Sequence, residues 1–279
     1  MTAFAELKSK SRGKESSIRN LPVNLFASVM GIAGLSIAWR QAAQAFGVGQ
    51  LASDVTGVLA VVVFVVLAIG YVVKACKHPA AVVAEFRHPI AGNFFGTITI
   101  SILLLSSVIG PFNQAAGRVA WGLGVVSTFV LCFSIVGRML KGKLGIENAV
   151  PAWFIPGVAT LDIAIAGGSI TPTWAHEVIL FSIAVGTMIA LLFFVMVMSR
   201  MIHHEPVADG MIPSLMILMA PFEVGFLAYT NFLHRIDSFS GMLFYFGLFS
   251  RPCKNAVFRQ PAIYRSLPIH PATPGLTIK

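Results

Sequence analysis

Eight apolar stretches fill most of this chain, at about residues 21–46, 51–73, 90–112, 119–140, 152–170, 176–199, 212–233 and 238–250. A helix that crosses a bilayer needs about 20 predominantly apolar residues, and all but the last stretch approach that length. In lipid, every backbone polar group must be satisfied within the chain, so runs of this kind fold as helices. An all-α, polytopic membrane protein of about eight transmembrane helices is the expected fold. Only 11% of the residues are charged and the mean hydropathy is +0.82, whereas a soluble domain carries roughly 25% charged residues.

The formal net charge of +9 would suggest nucleic acid in a soluble protein. Here the basic residues sit between the apolar runs, so they report topology. Seventeen of the 20 Lys and Arg fall in the tails and alternate loops on one side, and only Arg40, Arg118 and Arg235 on the other. By the positive-inside rule both termini are expected in the cytoplasm, with the protein in the inner (plasma) membrane. The expected organisation is a basic tail at 1–20, a transmembrane pore domain at 21–250 and a Pro-rich basic tail at 251–279.

The runs come in two alternating kinds. The second, fourth and sixth contain no proline and are rich in valine, leucine and phenylalanine, as lipid-facing helices are. The first, third, fifth and seventh carry Pro22, Pro89, Pro156 and Pro221, spaced 67, 67 and 65 residues apart. A broken or polar backbone is tolerated at membrane depth only against protein or a water-filled cavity. The pattern therefore predicts repeated hairpins of one inner and one outer helix, with the inner helices around a central pore.

Candidate transport residues follow from that reading. Asp162 and Glu223 are acids inside spans, and such residues mark functional sites. Next to Glu223, Pro221 is expected to face the same cavity, and Pro156 an equivalent place in the fifth run. Phe26, Phe94, Phe95, Phe154 and Phe222 lie on the inner helices, where a ring of apolar side chains would gate by dewetting. Gly92 and Gly96 form a G-x-x-x-G that permits close helix approach. His203, His204 and Glu205 lack the H-E-x-x-H spacing of a metal site, and Cys76, Cys132 and Cys253 lack disulfide or metal spacing. No cofactor motif, phosphate loop or G-x-S-x-G elbow occurs, which leaves an intramembrane enzyme as the weakest class.

Several segments together resemble the tellurite-resistance/C4-dicarboxylate transporter family, the TehA-like proteins that include the plant slow-type anion channels. They are "VMGIAGLSIAW" (29–39), "FFGTITISILLL" (94–105) after His88 and Pro89, "VPAWFIPGVA" (150–159) and "PSLMILMAPFEVGFLAY" (213–229). The resemblance implies ten helices in five hairpins, odd helices lining the pore and even helices outside, a homotrimer with one pore per subunit, and small anions as substrates. It also implies a gating phenylalanine on a ninth helix, for which no position here matches. The stretch after residue 250 has five prolines and no acidic residue, so it is not expected to form two further spans. A proton-coupled dicarboxylate carrier using Asp162 or Glu223, and a truncated inactive product, are the alternatives.

Overall fold

The computed structural model describes residues 18–142, 145, 148–168, 170, 173–204 and 209–258, and all regular structure among them is helical. The helices are α1 (Phe26–Phe46), α2 (Leu51–Lys77), the short α3 (Pro79–Arg87), α4 (Gly96–Ile109), α5 (Gln114–Leu140), α6 (Ile155–Gly167), α7 (Thr173–His203), α8 (Ala220–Leu233) and α9 (Ser238–Phe258). Among the described residues, six helical units are long and apolar enough to cross a membrane, and two shorter apolar units occupy Pro151–Gly167 and Ser238–Leu248. They coincide with the eight apolar runs. Two features depart from the sequence reading: the loop after the second run contains α3, and α9 continues past residue 250 to Phe258.

Each inner helix begins as a 3-10 turn and continues as an α-helix: Val23–Leu25 before α1, Ala91–Phe95 before α4, Pro151–Phe154 before α6 and Asp209–Met219 before α8. Proline explains the junctions in α6 and α8. Pro156 and Pro221 are each the second residue of the α-helical part, where an intrahelical N–H is not required. They start these helices rather than break them.

Helices α1 and α2, α4 and α5, α6 and α7, and α8 and α9 pack as antiparallel hairpins. The inner members also pack in sequence, α1 on α4, α4 on α6 and α6 on α8, with no comparable contact joining α1 to α8. The inner helices thus form an arc. At its centre α6 has 12 of its 13 residues buried. The outer α2 instead exposes Val58, Val62, Val66, Ile69 and Val72, as a helix facing lipid does.

Small residues set the spacing. A Cβ on Gly96 would come within 2.5 Å of Ile155, one on Gly124 within 2.6 Å of Leu103, and one on Gly186 within 2.5 Å of Thr160. Only glycine lets α4 approach α6, α5 approach α4, and α7 approach α6 this closely. Side-chain bonds to backbone lock the register: Ser36 and Ser53 donate to each other's carbonyls at 2.7 and 2.9 Å, and Trp121 Nε1 donates to Ile163 O at 3.0 Å.

Candidate functional site

At the C-terminal ends of the four inner helices lies a cavity of about 540 Å³, lined by residues of α1, α4, α6 and α8 and by the first turn of α5. A helix C-terminus leaves its last carbonyls without intrahelical donors, and two neighbouring side chains supply them. Arg40 Nη1 donates to Ser107 O at 3.0 Å, with its guanidinium 5.9 Å from the Phe112 ring centroid. Asn231 Nδ2 donates to Ile165 O at 3.1 Å. Arg118, exposed, donates to Gln114 Oε1 one turn back at 3.2 Å, and His234 ends α8 in the left-handed conformation, φ 52°. Arg40, Arg118 and His234 all border the cavity, and no carboxylate appears among the described residues that line it. It is a cationic vestibule.

Below the vestibule the axis closes. Ile165 and Ala166 line the cavity, and Asp162 lies three and four residues earlier, one turn deeper on the same face of α6. Asp162 is 5% exposed. Deeper still, a single apolar cluster takes side chains from every inner helix: Met30 from α1, Ile100 and Leu104 from α4, Ile155 and Val158 from α6, and Val224 from α8. Aliphatic groups meeting in this way offer water no hydrogen-bond partners.

The structure separates the residues that the sequence had grouped. Phe26 packs on Phe64 and Tyr71 of α2, at 5.9 and 6.0 Å between centroids. Phe95 packs on Tyr71 and Phe86, and Phe222 on Phe194 of α7 and Phe246 of α9. These rings tie inner helices to their outer neighbours, while aliphatic side chains and Phe94 and Phe154 contribute to the shared cluster. Pro156 and Pro221 are buried at their helix starts. Glu223 borders a groove of about 210 Å³ with Phe226, Leu227, Phe244 and Leu248, between α8 and α9, and its Cγ abuts Gly247. Asp162 and Glu223 therefore serve different surfaces. His203 and His204 are exposed, and Glu205 lies outside the described residues.

The sequence reading takes Arg40 and Arg118 only as topology charges and does not single out His234. Arg40 left one signal, since it falls within the first apolar run. The opposite end also holds more than loop charges. Lys74, Arg138 and Arg200 stand in the last turns of α2, α5 and α7, not between spans. Lys74 Nζ donates to Glu85 at 2.5 Å and to Leu21 O at 2.7 Å. Glu85 in turn accepts from the Val23 amide at 2.8 Å and from Tyr71 at 3.0 Å. Burial alone would raise the Glu85 carboxyl, but the bonds from Lys74, Val23 and Tyr71 outweigh it and hold it below the usual carboxylate range.

Hairpins of inner and outer apolar helices, most of them long enough to cross a bilayer, define a multi-pass helical membrane protein. The comparison with protein families gives the particular one: the chain belongs to the SLAC1 voltage-dependent anion channel family, which matches residues 20–258. It is similar to an uncharacterized transporter of Methanocaldococcus jannaschii, 25% identical over 79% of this chain and 68% of that protein. A tellurite resistance protein TehA homolog of Haemophilus influenzae is 23% identical over 81% of this chain and 69% of its own length. The S-type anion channel SLAH2 of Arabidopsis thaliana is 25% identical over 85% of this chain and 47% of its own length. The chain thus spans about half to two thirds of the length of these relatives.

Proposed function

We propose that this chain carries small anions across a membrane along the axis shared by α1, α4, α6 and α8. The observation that carries this is the vestibule, where Arg40, Arg118 and His234 face a cavity of about 540 Å³ with no carboxylate among its described lining residues. Fixed cations in a cleft with low-dielectric walls concentrate anions and repel cations. The aliphatic cluster beneath it is the closed state of the path, and passage requires it to widen and wet. The tellurite resistance and anion channel names of the Haemophilus and Arabidopsis relatives support anionic substrates.

A second reading has its own observation. Asp162 lies buried one turn below the vestibule, where an ionised carboxylate opposes an anion, so coupling of proton and anion movement through Asp162 is the alternative mechanism. We further place both termini in the cytoplasm and the protein in the plasma membrane as a homotrimer; the charge asymmetry supports the topology, and the family resemblance the assembly. Anion flux in proteoliposomes, with and without an imposed pH gradient, separates the mechanisms. Flux indifferent to the gradient supports the channel, flux driven by it supports the proton-coupled carrier, and absence of flux under both conditions contradicts the transport reading.

A further inference from the structure

The vestibule is shared by two helices that stand at opposite edges of the arc. Ile37, Arg40 and Gln41 of α1 and Asn231 and His234 of α8 line the same cavity. Yet α1 packs on α2 and α4, and α8 on α6, α7 and α9, with no comparable contact between α1 and α8 among the described residues. The arc is open at this edge, and each helix carries a row of residues that leads up to the cavity. On α1, Ala27, Gly31, Gly34, Ala38 and Gln41 recur at helical spacing. A Cβ on Gly31 or Gly34 would meet nothing within 4 Å. On α8, Leu227, Thr230 and His234 recur in the same way, with Leu227 exposed. Glu223 continues that row one turn deeper, at the end away from Arg40 and Arg118. An anion is therefore attracted at one end of the gap and disfavoured at the other.

The cationic end lies where a bilayer passes from hydrocarbon to headgroups. Trp39, next to Arg40, and Trp174, at the start of α7, are both exposed, and tryptophan collects at the membrane–water interface. Ser169, Thr171 and Pro172, which lie outside the described residues between α6 and α7, carry no charge. An ionised carboxylate on an alkyl chain rests at that interface with its chain in the hydrocarbon. It can reach Arg40 and Arg118 by moving sideways, without passing the aliphatic cluster. Guanidinium groups suit it, since carboxylates accept from them in bidentate pairs.

We propose that the gap between α1 and α8 admits a single-chain alkyl carboxylate from the bilayer, its head at Arg40 and Arg118 and its chain along Gly31, Gly34 and Leu227. Charge complementarity selects the anionic head, and the sideways opening selects a ligand with an apolar chain. The proposal deepens the transport reading by naming a ligand that occupies the entrance, and it rests on the vestibule attracting anions. Binding of radiolabelled laurate to the full-length protein in phosphatidylcholine nanodiscs, with empty nanodiscs subtracted, tests it at mildly alkaline pH. Saturable binding is expected, with little competition from acetate, which lacks the chain, or from dodecyltrimethylammonium, which has the opposite charge. Gly34→Leu should weaken binding about ten-fold or more, as when roughly two methylenes lose their burial. Arg118→Gln should weaken it about five-fold or less, as for one exposed charge. No saturable binding, equal affinity in Gly34→Leu, or displacement by acetate or dodecyltrimethylammonium as effective as by unlabelled laurate overturns the assignment. So does equal displacement by phosphatidylglycerol, which would make the occupant a phospholipid. Should Gly34→Leu not fold, Gly31→Leu carries the same test, with weaker binding expected and unchanged binding overturning it. Laurate binding without small-anion flux contradicts the transport reading alone, and flux without laurate binding contradicts this assignment alone.

Discussion

The two ends of the inner helices use cations in opposite ways. At the N-terminal end, Lys74 is consumed by Glu85 and the Leu21 carbonyl in a buried network that fixes where α1 begins. At the C-terminal end, Arg40 is half committed to α4 carbonyls and Arg118 stands exposed beside a wide cavity. The residue type is the same and the consequence is set by the partner. A carbonyl or carboxylate within reach turns a cation into a clamp, whereas an open cavity turns it into a lure for mobile anions.

The largest effect that sharpens this contrast should come from breaking the clamp. Lys74→Ala leaves a carboxylate, its side chain 15% exposed, without its cation, so the cost is bounded above by the loss on breaking a fully buried pair, about 3 to 5 kcal/mol. Thermal unfolding in detergent should show a large drop in Tm, while Arg118→Ala changes stability by no more than about 0.5 kcal/mol, as for other surface changes. Packing on the two sides of the arc gives the next effect. Gly186→Val forces a side chain onto Thr160 and Leu161, whereas the Cβ of a residue at Gly31 meets nothing within 4 Å. Overpacking costs about 1 to 3 kcal/mol, so Gly186→Val should lower stability by that amount and Gly31→Val by far less.

A pH scan probes the clamp from a different side. Glu85 is held below the usual carboxylate range, so its contribution is present at neutral pH and above, where the carboxyl is ionised in folded and unfolded chains alike. It declines as pH falls from the usual carboxylate range through the lower folded value. Native protein should lose stability over that acid interval, and Glu85→Gln should lose less across it; equal slopes would remove Glu85 from the account. The smallest expected effect belongs to one exposed cation. Arg118→Gln should reduce anion flux about five-fold or less, since an exposed unit charge near a passing ion contributes about 1 kcal/mol, with the deficit shrinking at high salt.

The same contrast explains what was legible in the sequence. The eight runs and their alternation could be read because lipid and protein select different compositions, and Pro156, Gly96 and Asp162 stand where lipid would not tolerate them. The direction of a side chain around its helix could not be read. Successive residues turn by about 100°, so Phe26, Phe95 and Phe222 belong to inner helical units yet pack toward outer neighbours, while Met30, Leu104 and Val224 meet in the cluster that the inner helices share. Glu223 illustrates the same limit, since it borders the groove between α8 and α9. The cations were misplaced for another reason. Counting Lys74, Arg138 and Arg200 as loop charges gave the correct alternation but hid that they sit in the last turns of helices, and Arg40 became part of the vestibule only once Ser107 was seen beside it.

The central claim is that fixed cations at the C-terminal end of the inner helices select anions, and the reversal potential of the purified protein in a planar bilayer under a potassium chloride gradient tests it most directly. The native protein should reverse near the chloride equilibrium potential. The charge-reversed double variant Arg40→Glu with Arg118→Glu should move that potential toward zero or past it, provided that circular dichroism shows the helices intact. A native reversal potential on the potassium side, or one that the folded double variant leaves unchanged, would contradict the account.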